Sequence, residues 1–345
     1  MSNKDTRTEI GEVGEFGLID KIASKFTIQN RETLTGIGDD AAVLDHGGQE
    51  LQLVSTDMLL EGIHFDLSYM PLQHLGYKCV AVNVSDIAAM NGMPKQITIS
   101  LGLSNRFSVE AVEKLYEGIQ YACEDYGIDL IGGDTTSSPT GLVISVSVFG
   151  SAPKEKIAYR KNAEENDIIC VTGDLGGALL GLQVLEREKE VYKSNPEMQP
   201  DLEKYDFVVG KQLKPKARMD IIYELSDKKL IPTSMIDVSD GLASELFHIA
   251  KSSDVGIVIY EDKIPVSKES YEAAIEFGLS PITCALNGGE DYELLFTIGQ
   301  SEYEKIKLHP DISTIGYVTK KEKGINMVTK SEQVVPLKAQ GWVHF

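Results

Sequence analysis

The chain has 345 residues, too many for one ordinary hydrophobic core, so two domains are expected. Apolar residues make up 42% and charged residues 25%, the balance of a folded globular protein, which excludes a fibrous or largely disordered chain. With 53 acidic against 33 basic residues the formal charge is −20, a poor match for a nucleic-acid backbone or an anionic membrane surface.

The first residues are polar and hold no apolar signal core, and no apolar run reaches the roughly 18–20 residues of a membrane span. Cys79, Cys123, Cys170 and Cys284 are far apart and each sits in an apolar run. That pattern favours buried free thiols in a reducing compartment, so a cytoplasmic protein is expected. In chain order, residues 15–26 carry Phe16, Ile19, Ile22, Ala23 and Phe26 at helical spacing. Residues 51–54 read as a short strand ending at Ser55-Thr56-Asp57, and residues 75–90 as a mostly buried helix. A strand is expected over 97–103, then an amphipathic helix over 107–126 with Ser108 as N-cap and a stripe from Val109 to Cys123. A β-branched strand follows over 142–149.

The polar stretch after Gly150 marks the expected division, giving domains 1–151 and 152–345. Beyond it come a strand over 168–172, the turn Gly173-Asp174-Leu175-Gly176-Gly177 and a helix over 178–187. Residues 186–205 are mostly charged and read as a surface excursion. A second strand-turn-helix unit spans Ile236, Asp237-Val238-Ser239-Asp240-Gly241 and a helix over 242–251, with strands expected over 256–260 and 292–298. Helices and strands alternate, so both halves read as α/β or α+β.

One feature recurs. Acids stand beside glycine or hydroxyl residues at Gly36-Ile37-Gly38-Asp39-Asp40, Ser55-Thr56-Asp57, Ile131-Gly132-Gly133-Asp134, Asp237-Val238-Ser239-Asp240 and Gly288-Gly289-Glu290-Asp291. Asp86 is a further acid inside the apolar helix, with Asn83 on the same face. Gly-Asp pairs are ordinary turn formers taken singly. Five together, plus a carboxylate that is costly to bury unpaired, point to hard oxygen ligands for Mg²⁺ around a polyphosphate. No P-loop, dinucleotide glycine fingerprint or protein-kinase motif set is present, and the six histidines lack zinc-ligand spacing.

These motifs resemble the thiamine-monophosphate kinase family of the aminoimidazole ribonucleotide synthetase-like superfamily. Beyond the acidic turns, the resemblance is carried by Glu15-Phe-Gly-Leu-Ile, Gly62-Ile-His64-Phe65, Tyr77-Lys-Cys-Val-Ala-Val-Asn-Val-Ser-Asp-Ile-Ala-Ala-Met, Arg160, Pro215-Lys-Ala-Arg218, Gly288-Gly-Glu-Asp-Tyr-Glu-Leu and His344-Phe345. It spans essentially the whole chain. It implies a two-domain α/β (α+β) fold of the aminoimidazole ribonucleotide synthetase-like type, with an N-terminal ATP/Mg-binding sheet domain that dimerises and a C-terminal α/β domain. The implied activity is transfer of phosphate from ATP to thiamine monophosphate, giving thiamine diphosphate with several Mg²⁺ ions. The implied metal ligands are Asp40, Thr56, Asp57, Asp86, Asp134, Asp237 and Asp240, with Ser55 beside them; Asp57, Asp134 and Asp240 are the implied catalytic residues. ATP contacts fall on Gly133, Asp134, Arg160 and Ser239, and substrate contacts on His64, Glu290 and the single tryptophan, Trp342. A homodimer is expected, with no nucleic-acid or membrane partner, and the charged 186–205 segment is expected to be irrelevant to the chemistry. Another ATP-dependent activity of the superfamily, a non-catalytic nucleotide sensor and a plain acidic structural protein stay open from the residues alone.

Overall fold

The structure, a computed structural model, describes residues 8–200 and 202–339, apart from the side chains of Glu15 and Phe16. The first half runs α1 (Ile10–Ala23), β1 (Thr33–Thr35), β2 (Ala42–Leu44), β3 (Glu50–Leu60), α2 (Leu72–Ala89), β4 (Met93–Leu103), α3 (Val109–Tyr126), β5 (Asp129–Ser137) and β6 (Val143–Pro153). The second runs β7 (Ile168–Thr172), α4 (Gly177–Ser194), α5 (Asp206–Leu213), α6 (Met219–Asp227), β8 (Ser234–Asp237), α7 (Leu242–Ser253), β9 (Val255–Tyr260), α8 (Lys268–Glu276), α9 (Pro281–Asn287), β10 (Leu294–Ile298), β11 (Ile312–Lys320), β12 (Ile325–Val328) and β13 (Val334–Pro336).

Each half builds one sheet. The first has the order β1-β2-β3-β6-β4-β5, the second β13-β12-β9-β11-β7-β10-β8. Both are largely antiparallel; β4–β5 and β9–β12 are the parallel pairs. Strand alternation decides the faces of the first sheet. Leu51, Leu53 and Leu59 on β3, Ile144, Val146 and Val148 on β6, and Ile97, Ile99 and Leu101 on β4 are buried. That face packs on α2. The intervening Thr56, Met58, Thr98, Ser100, Ser145 and Ser147 face outward and are partly or fully exposed.

Helices α2 and α3 lie backbone to backbone. A Cβ on Gly76 would stand 2.0 Å from the Leu115 carbonyl oxygen, and one on Gly118 1.8 Å from that of Gln73, so only glycine permits the approach. Ser108 caps α3 by accepting the Ala111 N–H, and Gly127 ends it in the left-handed region at φ 65°. Helix α2 also touches β8, α5 and α6, so it is the element shared by the two halves.

Several sequence expectations change. Strand β3 does not end at Ser55-Thr56-Asp57 but continues to Leu60, because it pairs with β6 along its whole length, from Glu50 opposite Pro153 to Leu60 opposite Val143. Gly132-Gly133-Asp134 is no turn: it lies inside β5, where a Cβ on Gly133 would meet the Ile99 carbonyl oxygen at 1.8 Å. The 186–205 segment is largely at the surface beyond Lys189, and it carries regular structure that the sequence reading left out: α4 continues to Ser194 and a short 3-10 turn covers Glu203–Tyr205. Helix α1 begins five residues early, kinks at Gly14 and ends before Phe26, which is 71% exposed. Val109, placed on the apolar stripe of α3, is exposed, while Leu115, Ile119 and Ala122 form its buried face. All four cysteines are free; three are buried and Cys123 is partly so.

Candidate active site

The acids meet where β3, α2, β8 and the turn before β2 converge. Carboxylate oxygens of Asp40, Asp86 and Asp237 all lie within 4.8 Å of one another. Each is held by its own donor. Ser55 Oγ donates to Asp86 Oδ2 at 2.6 Å, and Ser85 Oγ to Asp237 Oδ2 at 2.5 Å. Arg160 grips Asp40 with Nη2 at 2.6 Å and Nε at 3.2 Å, a fork on a carboxylate. Asp57 points to the same inner face of β3, its backbone N–H bonded to Asn83 Oδ1 at 3.1 Å.

The electrostatics follow from this crowding. Burial, then the neighbouring Asp40, pushes the Asp57 carboxyl up to about 6. Burial, then Asp40, raises Asp237 to about 7, against the pull of Ser85 and Arg160. Asp86 is raised well above the ordinary carboxylate range by burial and then by Asp57 and Asp237. Asp39, whose Oδ1 accepts the Arg160 N–H at 3.1 Å, is raised to about 6 by burial and Asp40. Such groups repel one another unless a cation or protons sit among them.

A second set lines the same region from the C-terminal half. The Asp237–Gly241 loop pairs with the Gly289–Glu293 segment: the Glu290 N–H donates to the Ser239 carbonyl at 2.7 Å, and the Tyr292 N–H to Val238 at 2.9 Å. Glu290 adopts φ 66°. Its Oε1 meets Lys78 Nζ at 2.8 Å and its Oε2 accepts from Gln212 Nε2 at 2.7 Å. Lys78 is 0% exposed, a buried ammonium on α2. The Asp240 N–H donates to Glu245 Oε1 at 3.1 Å. His64 follows β3, and its Nδ1 accepts the Leu60 N–H at 3.0 Å.

Asp40, Ser55, Asp57, Asp86 and Asp237 are thus together, and Arg160 touches Asp40. Ser239 and Asp240 are on the adjoining loop. Thr56 faces away, on the outer side of β3, bonded to Val146 O at 2.9 Å and to Ser147 Oγ at 3.1 Å. Gly133 and Asp134 are elsewhere: β6 and β4 intervene between β3 and β5, three strand spacings or roughly 14 Å. Asp134 pairs with Ser100, on the outward face opposite to that of Asp57. Trp342 lies outside the described residues. Sequence reasoning missed Lys78, Ser85, Gln212 and Glu245. Lys78 and Glu245 had a signal, a charge inside an otherwise apolar helical stretch; Ser85 and Gln212 had none.

Residues 38–152 match the N-terminal domain of AIR synthase related proteins, and residues 164–327 the C-terminal domain. The thiamine-monophosphate kinase of Bacillus subtilis is 36% identical over 96% of this chain and 99% of its own length. That of Escherichia coli K12 is 32% identical over 96% and 98%. A solved structure described as AaThiL complexed with AMPPCP and TMP superposes with a TM-score of 0.84 at 33% identity, covering 99% of this chain and 100% of that one. A hydrogenase maturation protein HypE shares the fold alone, at 18% identity and a TM-score of 0.67. A carboxylate cluster built from both halves, two matched domains and full-length identity of this order together show that the chain belongs to the thiamine-monophosphate kinase family.

Proposed function

We propose that the protein phosphorylates thiamine monophosphate to thiamine diphosphate with ATP as the donor. The observation that carries this is the crowded Asp40, Asp86 and Asp237 cluster in a chain 36% identical, end to end, to a thiamine-monophosphate kinase. The relative solved with an ATP analogue and TMP supports the two substrates. Four free thiols and the acidic charge fit a cytoplasmic enzyme, and among the described residues no helix is long and apolar enough to cross a membrane.

The donor set fits Mg²⁺. It is all oxygen, its carboxyls are raised by burial and then by one another, and among the described residues Arg160 is the cation paired with Asp40. Asp40, Asp57, Asp86 and Asp237 would hold the ions, with Ser55 and Asp240 beside them. Bound there, Mg²⁺ supplies the screening that lets two phosphate anions approach. The chain's own residues do the rest. Ser55, Ser85 and Asn83 fix Asp86, Asp237 and the Asp57 backbone before ligands arrive, so little reorganisation is needed. On this reading Arg160 and Ser239 would meet ATP phosphates, and His64 and Glu290 the acceptor; the contact of Arg160 with Asp40 supports its part. The aromatic substrate contact that the family resemblance assigns to Trp342 is kept as part of this proposal, since an indole suits a cationic thiazolium ring. The acceptor is a phosphate monoester, ionised near neutral pH, so no general base is required.

The roles of Thr56, Gly133 and Asp134 need a second chain. We infer a homodimer in which another copy covers the β5 edge and the outer face of the first sheet. All nine residues of β5 are exposed, including Ile131 at 60%, and Met58 on the outer face is 53% exposed. With Asp134 three strands from Asp57 inside one chain, a second copy is the route that reunites these residues at one site. We keep two domains divided close to residues 151–152; β6 runs on to Pro153 and β7 begins at Ile168, so the connection between the sheets spans 154–167. The test is to incubate purified protein with ATP, Mg²⁺ and thiamine monophosphate and assay thiamine diphosphate, with light scattering for the dimer. ATP binding without ADP release would leave a sensor; a monomer with full activity would remove the role given to Asp134.

A further inference from the structure

The charged end of α4 reaches across to the loop that carries His64. Tyr69 Oη donates to Glu186 Oε1 at 2.8 Å. Lys189 Nζ donates to Asp66 Oδ2 at 2.8 Å and to Glu186 Oε2 at 3.0 Å. The same ammonium stands 5.6 Å from the centroid of the Tyr69 ring. Glu186 and Lys189 are three residues apart on one helix face, so both meet the loop at once. Residues 66 and 69 belong to the half built on the first sheet, and residues 186 and 189 to the half built on the second.

The loop is tied into one unit. The Gly62 N–H donates to Phe65 O at 2.8 Å, and the Met70 N–H to Asp66 O at 2.9 Å. Ser68 N–H donates to Asp66 Oδ1 at 2.7 Å. Phe65 and Met70 are 4% and 3% exposed and anchor the unit to the core. A hold on Asp66 and Tyr69 is therefore a hold on His64, two residues before Asp66. It also fixes the entry to α2, the helix whose Lys78 pairs with Glu290.

We propose that Asp66, Tyr69, Glu186 and Lys189 form a clasp between the two halves that positions the His64 loop for the thiamine monophosphate side of the reaction. The inference rests on the substrate role given to His64 above. These are positioning residues, and none is asked to touch substrate. One exposed ion pair would hold little, but here one ammonium is shared by two carboxylates, lies against a ring and is 18% exposed. Burial works against ionising Asp66, yet the hydrogen bonds from Lys189 and Ser68 draw its carboxyl down to about 2.

The test uses the full chain, with ATP and thiamine monophosphate varied separately for Lys189→Met, Tyr69→Phe, Lys189→Arg and His64→Ala. The clasp predicts that Lys189→Met raises KM for thiamine monophosphate about three- to fivefold, the range expected when a modest pairing free energy is lost. KM for ATP should stay at the wild-type value. Tyr69→Phe should act in the same direction more weakly, and Lys189→Arg should restore wild-type kinetics. A wild-type KM for thiamine monophosphate in Lys189→Met, or equal rises in both KM values with a lowered melting temperature, overturns the clasp. If His64→Ala raises that KM and Lys189→Met does not, only the clasp fails; if His64→Ala changes nothing, the substrate role of the loop fails and takes the clasp with it.

Discussion

Replacing Glu290 by Gln tests how the two halves are joined at the site. Lys78 is 0% exposed, and among the described residues its ammonium meets Glu290 Oε1 at 2.8 Å and the Gln212 carbonyl at 3.3 Å. Gln keeps the shape but removes the charge, and it turns one acceptor toward Gln212 into a second donor. Removing one member of a buried pair costs about 3–5 kcal/mol, because the other charge stays buried. The Glu290 side chain is 27% exposed, so water can reach its end of the pair and the low end, about 3 kcal/mol, applies. Urea unfolding at neutral pH reads this as a lowered midpoint at constant slope. The double variant Lys78→Met/Glu290→Gln should regain about 2 kcal/mol, since no uncompensated charge is left inside. A loss below about 1 kcal/mol for Glu290→Gln, or a double variant no more stable than the single one, would refute the argument.

Three further outcomes follow from named contacts. Asp57→Asn should abolish phosphoryl transfer and weaken Mg²⁺ binding by calorimetry while the melting temperature holds or rises, because a repelled carboxylate has been removed; wild-type turnover at saturating Mg²⁺ would sink the metal assignment. Gly118→Ala should cost about 2 kcal/mol or more, because its Cβ meets the backbone of Gln73, whereas Gly210→Ala in α5 meets nothing within 4 Å and should gain about 0.5–1 kcal/mol. His248 is held down to about 4 by burial and then by the positive charges of Arg160 and Lys251, against the opposing charge of Asp20. Its stabilising contribution is therefore complete above the unfolded value near 6.5 and is lost as pH falls from there toward 4; between pH 7 and 5 the wild type should lose about 2 kcal/mol more than His248→Asn. Equal slopes for the two would remove His248 as the source.

The residues of the candidate site were legible because their types are unusual for their surroundings. An aspartate in the apolar run 75–90 and the acidic turns around Asp40, Asp57 and Asp237 single out in sequence the carboxylates that the fold gathers. Element boundaries near those residues were not legible, for a reason tied to the site. Ser55 and Asp57 interrupt the inward-facing positions of β3, so the hydrophobic alternation fades where the strand in fact continues. Gly132-Gly133-Asp134 has the composition of a turn, yet glycine is needed there because β5 runs against the β4 backbone. Helices α5, α6, α8 and α9 and strands β11–β13 went unread, their apolar patterns being short.

Partner choice is the other limit. The charges of 186–189 look solvated in sequence because Lys189 and Glu186 can pair with each other along one helix. Their partners Asp66 and Tyr69 are 123 and 117 residues away, and no local pattern encodes that distance. The same holds for Lys78, whose partners Gln212 and Glu290 come from α5 and from the segment before β10. The net charge of −20 therefore divides by structure rather than by composition. A small group of acids, Asp40, Asp86 and Asp237, is crowded together, another is paired with cations across the two halves, as in Glu290 with Lys78 and Asp66 with Lys189, and many of the rest lie at the surface.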